Sequence, residues 1–185
     1  MKRKIMIAFL SILLMSFIDG ILHVPSVSTG ITREAARIGE TVSGMINVWG
    51  PGASEYGVDE LYEVKITILE VLRGTEAWAH IQAISSSNKP PKDSFEYLLA
   101  RIRFGYYAKG SPGNKAYTLK QGDFKVFSKN DQAYKAPSVL PPKPELIGRV
   151  FRSGESYEGW VPFVVAKDDD QPLLFFSGGI WFQLF

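Results

Sequence analysis

The chain has 185 residues, 45% of them hydrophobic and 13% aromatic, with 21 Lys and Arg against 19 Asp and Glu and no cysteine. That length suits one domain, large enough to bury a core without covalent staples. Lack of cysteine excludes disulfides, thiol catalysis, cysteine-ligated zinc and iron–sulfur clusters.

Met1 is followed by Lys2, Arg3 and Lys4, then by an apolar run from Ile5 to Ile18. A basic segment ahead of a short apolar one has the order of a secretory signal peptide. Asp19 and Gly20 end the run short of the roughly 20 residues a spanning helix needs. Ser26 and Ser28 supply small residues at the positions a signal peptidase reads. The expectation is therefore a signal peptide over residues 1–28, cleavage after Ser28, a flexible lead-in over 29–37 and one domain over 38–185. Three basic residues and one acidic residue belong to the leader, so 18 of each sign remain of the original 21 and 19. With no charge excess, nucleic acid is not an expected partner, and membrane contact is expected only through the leader before cleavage.

Along the domain, Gly39 to Gly50 reads as a first strand, interrupted by Gly44, and Pro51 to Gly57 as turn chemistry. From Leu61 to Gly74 the alternation is clear: Tyr62, Val64, Ile66 and Ile68 share one face, and Glu63, Lys65 and Thr67 the other. The phase flips at Leu69-Glu70-Val71, which predicts a bulge. Thr75 is the expected cap of a helix of about three turns, with Ala77, Ile81 and Ile84 on its apolar face and Trp78 beside them. Trp78 and Ile81 are its expected anchors against the sandwich. Ser85 to Lys92 ends it.

Phe95 to Tyr107 predicts a central strand. Leu98, Ala100, Ile102, Phe104 and Tyr106 point one way, and Tyr97, Leu99, Arg101 and Arg103 the other. Two short strands follow between Lys115 and Ser128, then a hairpin turn at Lys129 to Gln132. The proline-rich Ala136 to Leu146 reads as an extended crossover, because proline lacks the donor a central strand needs. A strand, a turn at Ser153-Gly154 and a second strand bearing Val161, Phe163 and Val165 on one face lead to Asp168-Asp169-Asp170. Two strands about Gly178-Gly179 close the chain. Many short strands and one short helix predict an all-β fold, an antiparallel β-sandwich.

The order of these segments resembles a known family. The stretches are IGETV, LEVLRGTEAW, EYLLARIRF, DFKVFSKNDQAY, GESYEGWVPFVVAKDD and GGIWFQL, spanning Ile38 to Leu184. They are similar to the secreted immunoglobulin-like domains related to the mycobacterial secreted immunogenic antigen. The resemblance implies an immunoglobulin-like sandwich and a secreted or cell-surface location; it carries no catalytic motif. The chain departs from the family's lipoprotein members in lacking an anchoring cysteine.

Candidate site residues are few. His80 is the sole histidine after the leader, so any Ser-His-Asp device must run through it, and it reads instead as a surface residue of the helix. The pairs Glu155/Glu158 and Asp59/Glu60 are the carboxylates available for acid–base work. Arg101, Arg103 and Tyr107 are candidates for a recognition face, or for an ordinary mixed solvent face partly covered by the helix. Asp168 to Asp170 reads as a solvated hairpin turn, because three contiguous side chains diverge rather than converge on one cation. The sequence thus predicts no catalytic residue, cofactor or metal. Its preferred reading is an exported, non-enzymatic domain binding an unknown protein or cell-envelope component. A carboxylate-only hydrolase and a structural cell-surface module are the alternatives.

Overall fold

The computed structural model describes residues 34–49 and 59–185. The expected leader and the turn at residues 51–57 lie outside the described residues. Among the described residues, nine strands and one α-helix follow in order: β1 (Thr41–Val48), β2 (Glu60–Arg73), α1 (Thr75–Gln82), β3 (Phe95–Ala108), β4 (Tyr117–Thr118), β5 (Phe124–Phe127), β6 (Val150–Phe151), β7 (Glu155–Ala166), β8 (Leu173–Phe176) and β9 (Ile180–Gln183). One sheet runs β1-β2-β3-β7, a second β5-β8-β9, and β4 pairs with β6. Every pairing between these strands is antiparallel. The all-β antiparallel expectation holds.

The strand alternation produces the two-layer packing directly. Tyr62, Val64, Ile66 and Ile68 on β2, with Leu98, Ala100, Ile102, Phe104 and Tyr106 on β3, are all fully buried. They face Val126, Leu174, Phe176 and Phe182 of the other sheet in one apolar cluster. Phe104 spans the layers, its ring 5.7 Å from Phe176 and 4.9 Å from Phe151. Each such side chain contributes about 1.5–3 kcal/mol by leaving water.

The predicted bulge is present. Ile68 pairs with Ile102 and Glu70 with Arg101, leaving Leu69 as the extra residue. The phase change keeps Val71 against the main core and turns Leu72 to the opposite face. There Leu72 joins Leu99 and Tyr97 beneath Ala77 and Ile81 of α1. The helix therefore lies on the outer face of the four-stranded sheet.

Several details of α1 differ from the expectation. Gly74, not Thr75, is the N-cap, and no side chain caps the helix. Gly74 sits at φ +63°, a left-handed conformation that glycine tolerates, and its N–H donates to the Tyr97 carbonyl at 2.9 Å. Ala77 and Ile81 are the buried anchors; Trp78 is half-buried and stacks on Tyr97 with ring centroids 5.7 Å apart. Ile84, expected on the buried face, is 43% exposed, because the helix ends at Gln82.

Two glycines mark close approaches rather than weak strand positions. A Cβ on Gly44 would stand 2.6 Å from Ile180 Cδ1, so β1 needs the glycine to pass over β9. A Cβ on Gly159 would stand 2.7 Å from the Leu146 nitrogen and 2.9 Å from the Pro144 carbonyl oxygen. The proline-rich crossover lies against β7 there: Trp160 N–H donates to Pro144 O at 2.8 Å, and Glu145 and Trp160 form a parallel bridge. Ala36, inside the expected lead-in, bridges Phe182 of β9 in parallel.

The acidic triplet needs correction. It does not close a hairpin, because β7 and β8 belong to different sheets. The turn carries the chain from one layer to the other. Nor is it solvated throughout: Asp168 and Asp170 are exposed, whereas Asp169 is 3% exposed.

Candidate functional site

Beyond β5 the chain turns at Ser128 to Gln132, where Ser128 N–H donates to Gln132 O at 2.9 Å and Asp131 adopts φ +62°. This is the predicted turn. Ala133 then bridges Phe127, and Tyr134 N–H donates to Val126 O at 2.8 Å. From Ala133 to Ala136 the backbone forms a strap that lines a cavity on each side. One is a cleft of about 780 Å³, floored by Phe95, Tyr97 and Val164 and walled by Pro91 and Pro137. The other, about 330 Å³, is lined by Phe124, Val126 and Phe163 and adjoins the first along the strap. Both volumes fall near the range of small-molecule sites.

Tyr134 fixes the strap. Its hydroxyl donates to Asp169 Oδ2 at 2.8 Å, while Asp169 Oδ1 accepts the Gln171 N–H at 3.3 Å. Arg73 reaches the same turn, donating from Nη2 to the Asp169 carbonyl at 2.6 Å and from Nε to the Glu96 carboxylate. The Phe95 and Tyr134 rings meet edge-on at 6.5 Å. Burial, then the bond to Asp169, pushes the Tyr134 hydroxyl above its ordinary pKa, so it stays a neutral donor at any physiological pH. Lys129 pairs with Asp170 at 3.2 Å and holds that carboxyl below its ordinary range.

Asn88, two residues before the Pro90 that lines the cleft, is 6% exposed. Its amide donates to Ile81 O at 2.7 Å and to Leu140 O at 3.0 Å, and accepts the Leu140 N–H at 2.8 Å. One side chain thus ties the last turn of α1 to the proline-rich crossover. Tyr97 donates to Lys89 O at 2.8 Å and secures the segment between α1 and β3.

Of the residues singled out from sequence, Asp168 and Asp169 line the larger cleft, and the others do not gather there. His80 is exposed on α1, its ring 6.3 Å from that of Trp160. Glu155 and Glu158 are three apart on β7 and so project from opposite faces. Glu155 accepts the Arg152 N–H at 3.0 Å and shapes the turn into β7. Glu158 receives Arg103 at 2.6 Å and Arg101 at 2.9 Å. Chiefly the Arg103 hydrogen bond lowers its pKa, which is the reverse of what a general acid needs. Arg101 and Arg103 are thereby committed to one carboxylate, and Tyr97 and Leu99 are covered by α1. The outer face of β3 is the mixed face, half under the helix. Tyr107 completes it beneath the Lys65 ammonium, 5.2 Å from the ring centre.

Asp59 is exposed, but Glu60 is 8% exposed and belongs to a buried network. Tyr62 donates to Glu60 at 2.6 Å and accepts the Lys115 N–H at 2.8 Å, while Tyr106 donates to Lys115 O at 3.2 Å. The Tyr62 and Tyr106 rings stack at 4.3 Å. Burial raises the pKa of Tyr62, Tyr106 and Tyr117 alike. The Tyr62 and Tyr106 hydroxyls hold the far end of the sandwich to the loop before β4. Among the described residues no three His, Asp or Glu converge as metal ligands, and no helix is long and apolar enough to cross a membrane.

Comparison with protein-family models, with curated proteins and with solved structures gave no match.

Proposed function

We propose that the chain is an exported, non-enzymatic domain, immunoglobulin-like in its layout, that binds a protein or cell-envelope component through the cleft beside the strap. The observation that carries this reading is the cleft itself. It is concave, about 780 Å³, with an aromatic floor and a rim bearing Lys92, Lys129 and Lys135. Binding sites combine an apolar floor with a few placed polar groups in this way. Its walls are held by Tyr134–Asp169 and by Tyr97, which secures Lys89 beside Pro90, so the shape is organised before a partner arrives. The carboxylates that a hydrolase would use project from opposite faces of β7 and are engaged elsewhere, which favours binding over catalysis. Export is supported by the basic and apolar order of residues 1–18 and by the small residues before Thr29.

The test is site-specific photo-crosslinking on cells expressing the chain. A crosslinker at Ser138, on the cleft, should give a discrete adduct with an envelope component. The same group at Asn114, in the loop beyond the other end of β3, should not. Equal adducts from both positions, or none from Ser138, would overturn the reading.

A further inference from the structure

We infer that the free border of β1 takes an extended peptide as an added strand, one that alternates apolar residues with basic ones. β1 and β7 are the two borders of the four-stranded sheet, so this site is separate from the cleft beside β7 and does not rest on the proposed function.

The backbone supplies the first half of the site. Lys109 N–H donates to Leu61 O at 3.0 Å. Odd-numbered residues of β2 from Leu61 to Thr67 therefore turn their backbone groups to β3, and even-numbered ones turn theirs to β1. Val42, Gly44 and Ile46 meet Ile66, Val64 and Tyr62, which leaves the N–H and C=O groups of Thr41, Ser43, Met45 and Asn47 pointing out of the sheet. Among the described residues no hydrogen bond engages these groups, and all four residues are exposed. A border strand is ordinarily blunted by a charge, a proline or a bulge. TVSGMINV has no charge and no proline, and its register with β2 is unbroken. It is a template for main-chain hydrogen bonds, the mode by which sheets capture extended peptides.

A cavity of about 450 Å³ supplies the second half. It lies between the borders of the two sheets, with Val42 and Gly44 of β1 on one side and Ile180 and Trp181 of β9 on the other. Ser43 also lines it, although its side chain is on the outer face and bonds to Glu63. The cavity therefore borders the outward backbone of β1 itself. A strand hydrogen-bonded to Ser43 and Met45 sends every second side chain toward this space, because successive side chains alternate between faces. Ala35, Ala36 and Val42, each half-buried there, reward an apolar side chain.

Sign fixes the rest of the partner's chemistry. Two carboxylates, Glu34 and Glu40, line the cavity, and no lysine or arginine does so among the described residues. Both are exposed, and one oxygen of Glu40 accepts the Arg37 N–H at 2.8 Å. A lysine or arginine of the added strand is the complementary donor, and an acidic strand is repelled. The partner is thus a basic and apolar extended segment rather than a second copy, whose own β1 has no cation to offer.

Anisotropy titration of the purified chain at low salt, with a dye-labelled and end-blocked peptide of about eight residues, tests this. The peptide alternates valine with lysine and threonine. One control replaces lysine by glutamate; the other N-methylates the amides and leaves the side chains alone. The lysine peptide should bind, with each control weaker by about tenfold or more. Ser43→Pro should abolish binding, since it removes an outward N–H and fills the border. Glu34→Gln combined with Glu40→Gln should retain binding but bring the lysine and glutamate peptides to within about threefold of each other. Equal binding of either control by the unaltered chain overturns the inference, and the N-methylated control decides even where Ser43→Pro does not fold. Absence of binding at about 1 mM peptide also overturns it. So does a dimer of the chain that Ser43→Pro dissociates, because a second copy then holds the border. Failure of the Ser138 adduct leaves this site standing, and failure of peptide binding leaves the proposed function standing.

Discussion

Replacing Tyr134 by phenylalanine removes one oxygen atom and tests how the strap is held. In the native fold that hydroxyl donates at 2.8 Å to Asp169 Oδ2, on a carboxylate 3% exposed. A hydrogen bond to a charged acceptor contributes about 1.5–3 kcal/mol, and little water reaches Asp169 to replace it. Tyr134→Phe should therefore destabilise the domain by about 1.5–3 kcal/mol. At this chain length that lowers the melting temperature by roughly 3–12 °C. Urea unfolding followed by tryptophan fluorescence measures it directly. Asp169→Asn provides the cycle. Both carboxylate oxygens accept hydrogen bonds, one from Tyr134 and one from Gln171 N–H, so an amide keeps only one acceptor oxygen and loses the charge that strengthens the Tyr134 bond. In that background Tyr134→Phe should cost little, giving a coupling energy close to the single-variant loss. A single-variant change below about 0.5 kcal/mol, or additivity within about 0.5 kcal/mol, would refute the claim that this bond anchors the strap.

Gly159→Ala should destabilise by about 1–3 kcal/mol, because its Cβ meets backbone atoms of Pro144 and Leu146. Gly44→Ala clashes with the Ile180 side chain, most closely with its terminal Cδ1, rather than with backbone; it should cost less than Gly159→Ala, and Ile180→Val should relieve part of it, both read by urea unfolding. Ile81→Ala should cost about 2–5 kcal/mol, since Ile81 is fully buried. Trp78→Ala should cost less, roughly 1.5–2.5 kcal/mol, because the indole is only half-buried. For Glu158, whose pKa is depressed by Arg103 and then Arg101, the ion pairs stabilise fully above the ordinary value of 4.5 and lose that effect as pH falls through the lower folded value. Glu158→Gln should accordingly flatten the acid limb of a pH–stability curve below about pH 4.5 relative to wild type.

The strands of the four-stranded sheet were legible because each buries one face. Tyr62 to Ile68 and Leu98 to Tyr106 alternate without a break, and the slip at Leu69 announced the bulge. Partition between sheets was not legible. Asp168 to Asp170 has the composition of a turn whether the next strand pairs with β7 or crosses to the opposite layer. Burial of Asp169 depends on Tyr134, 35 residues away, and the turn around it on Arg73, 96 residues before it. No local pattern encodes either partner. Asn88 was hidden in a run of serines and prolines for the same reason, since its bonds reach Leu140 across 52 residues. The helix was visible by period, but Trp78 drew attention by size, whereas the smaller Ala77 and Ile81 hold the contact. The two cavities are products of the strap's path and have no signature in any single segment.

The run of prolines beside β7 has a further consequence. β7 is the last strand of its sheet, and such an edge offers unpaired N–H and C=O groups to any extended chain that reaches it. Around Trp160 those groups are already taken by Pro144 and Glu145 of the same molecule. The occupying segment has few free donors of its own, so it does not present a fresh edge in turn. A second copy therefore cannot continue the sheet across the middle of β7, and self-association by strand addition is blocked there by covalently tethered competition.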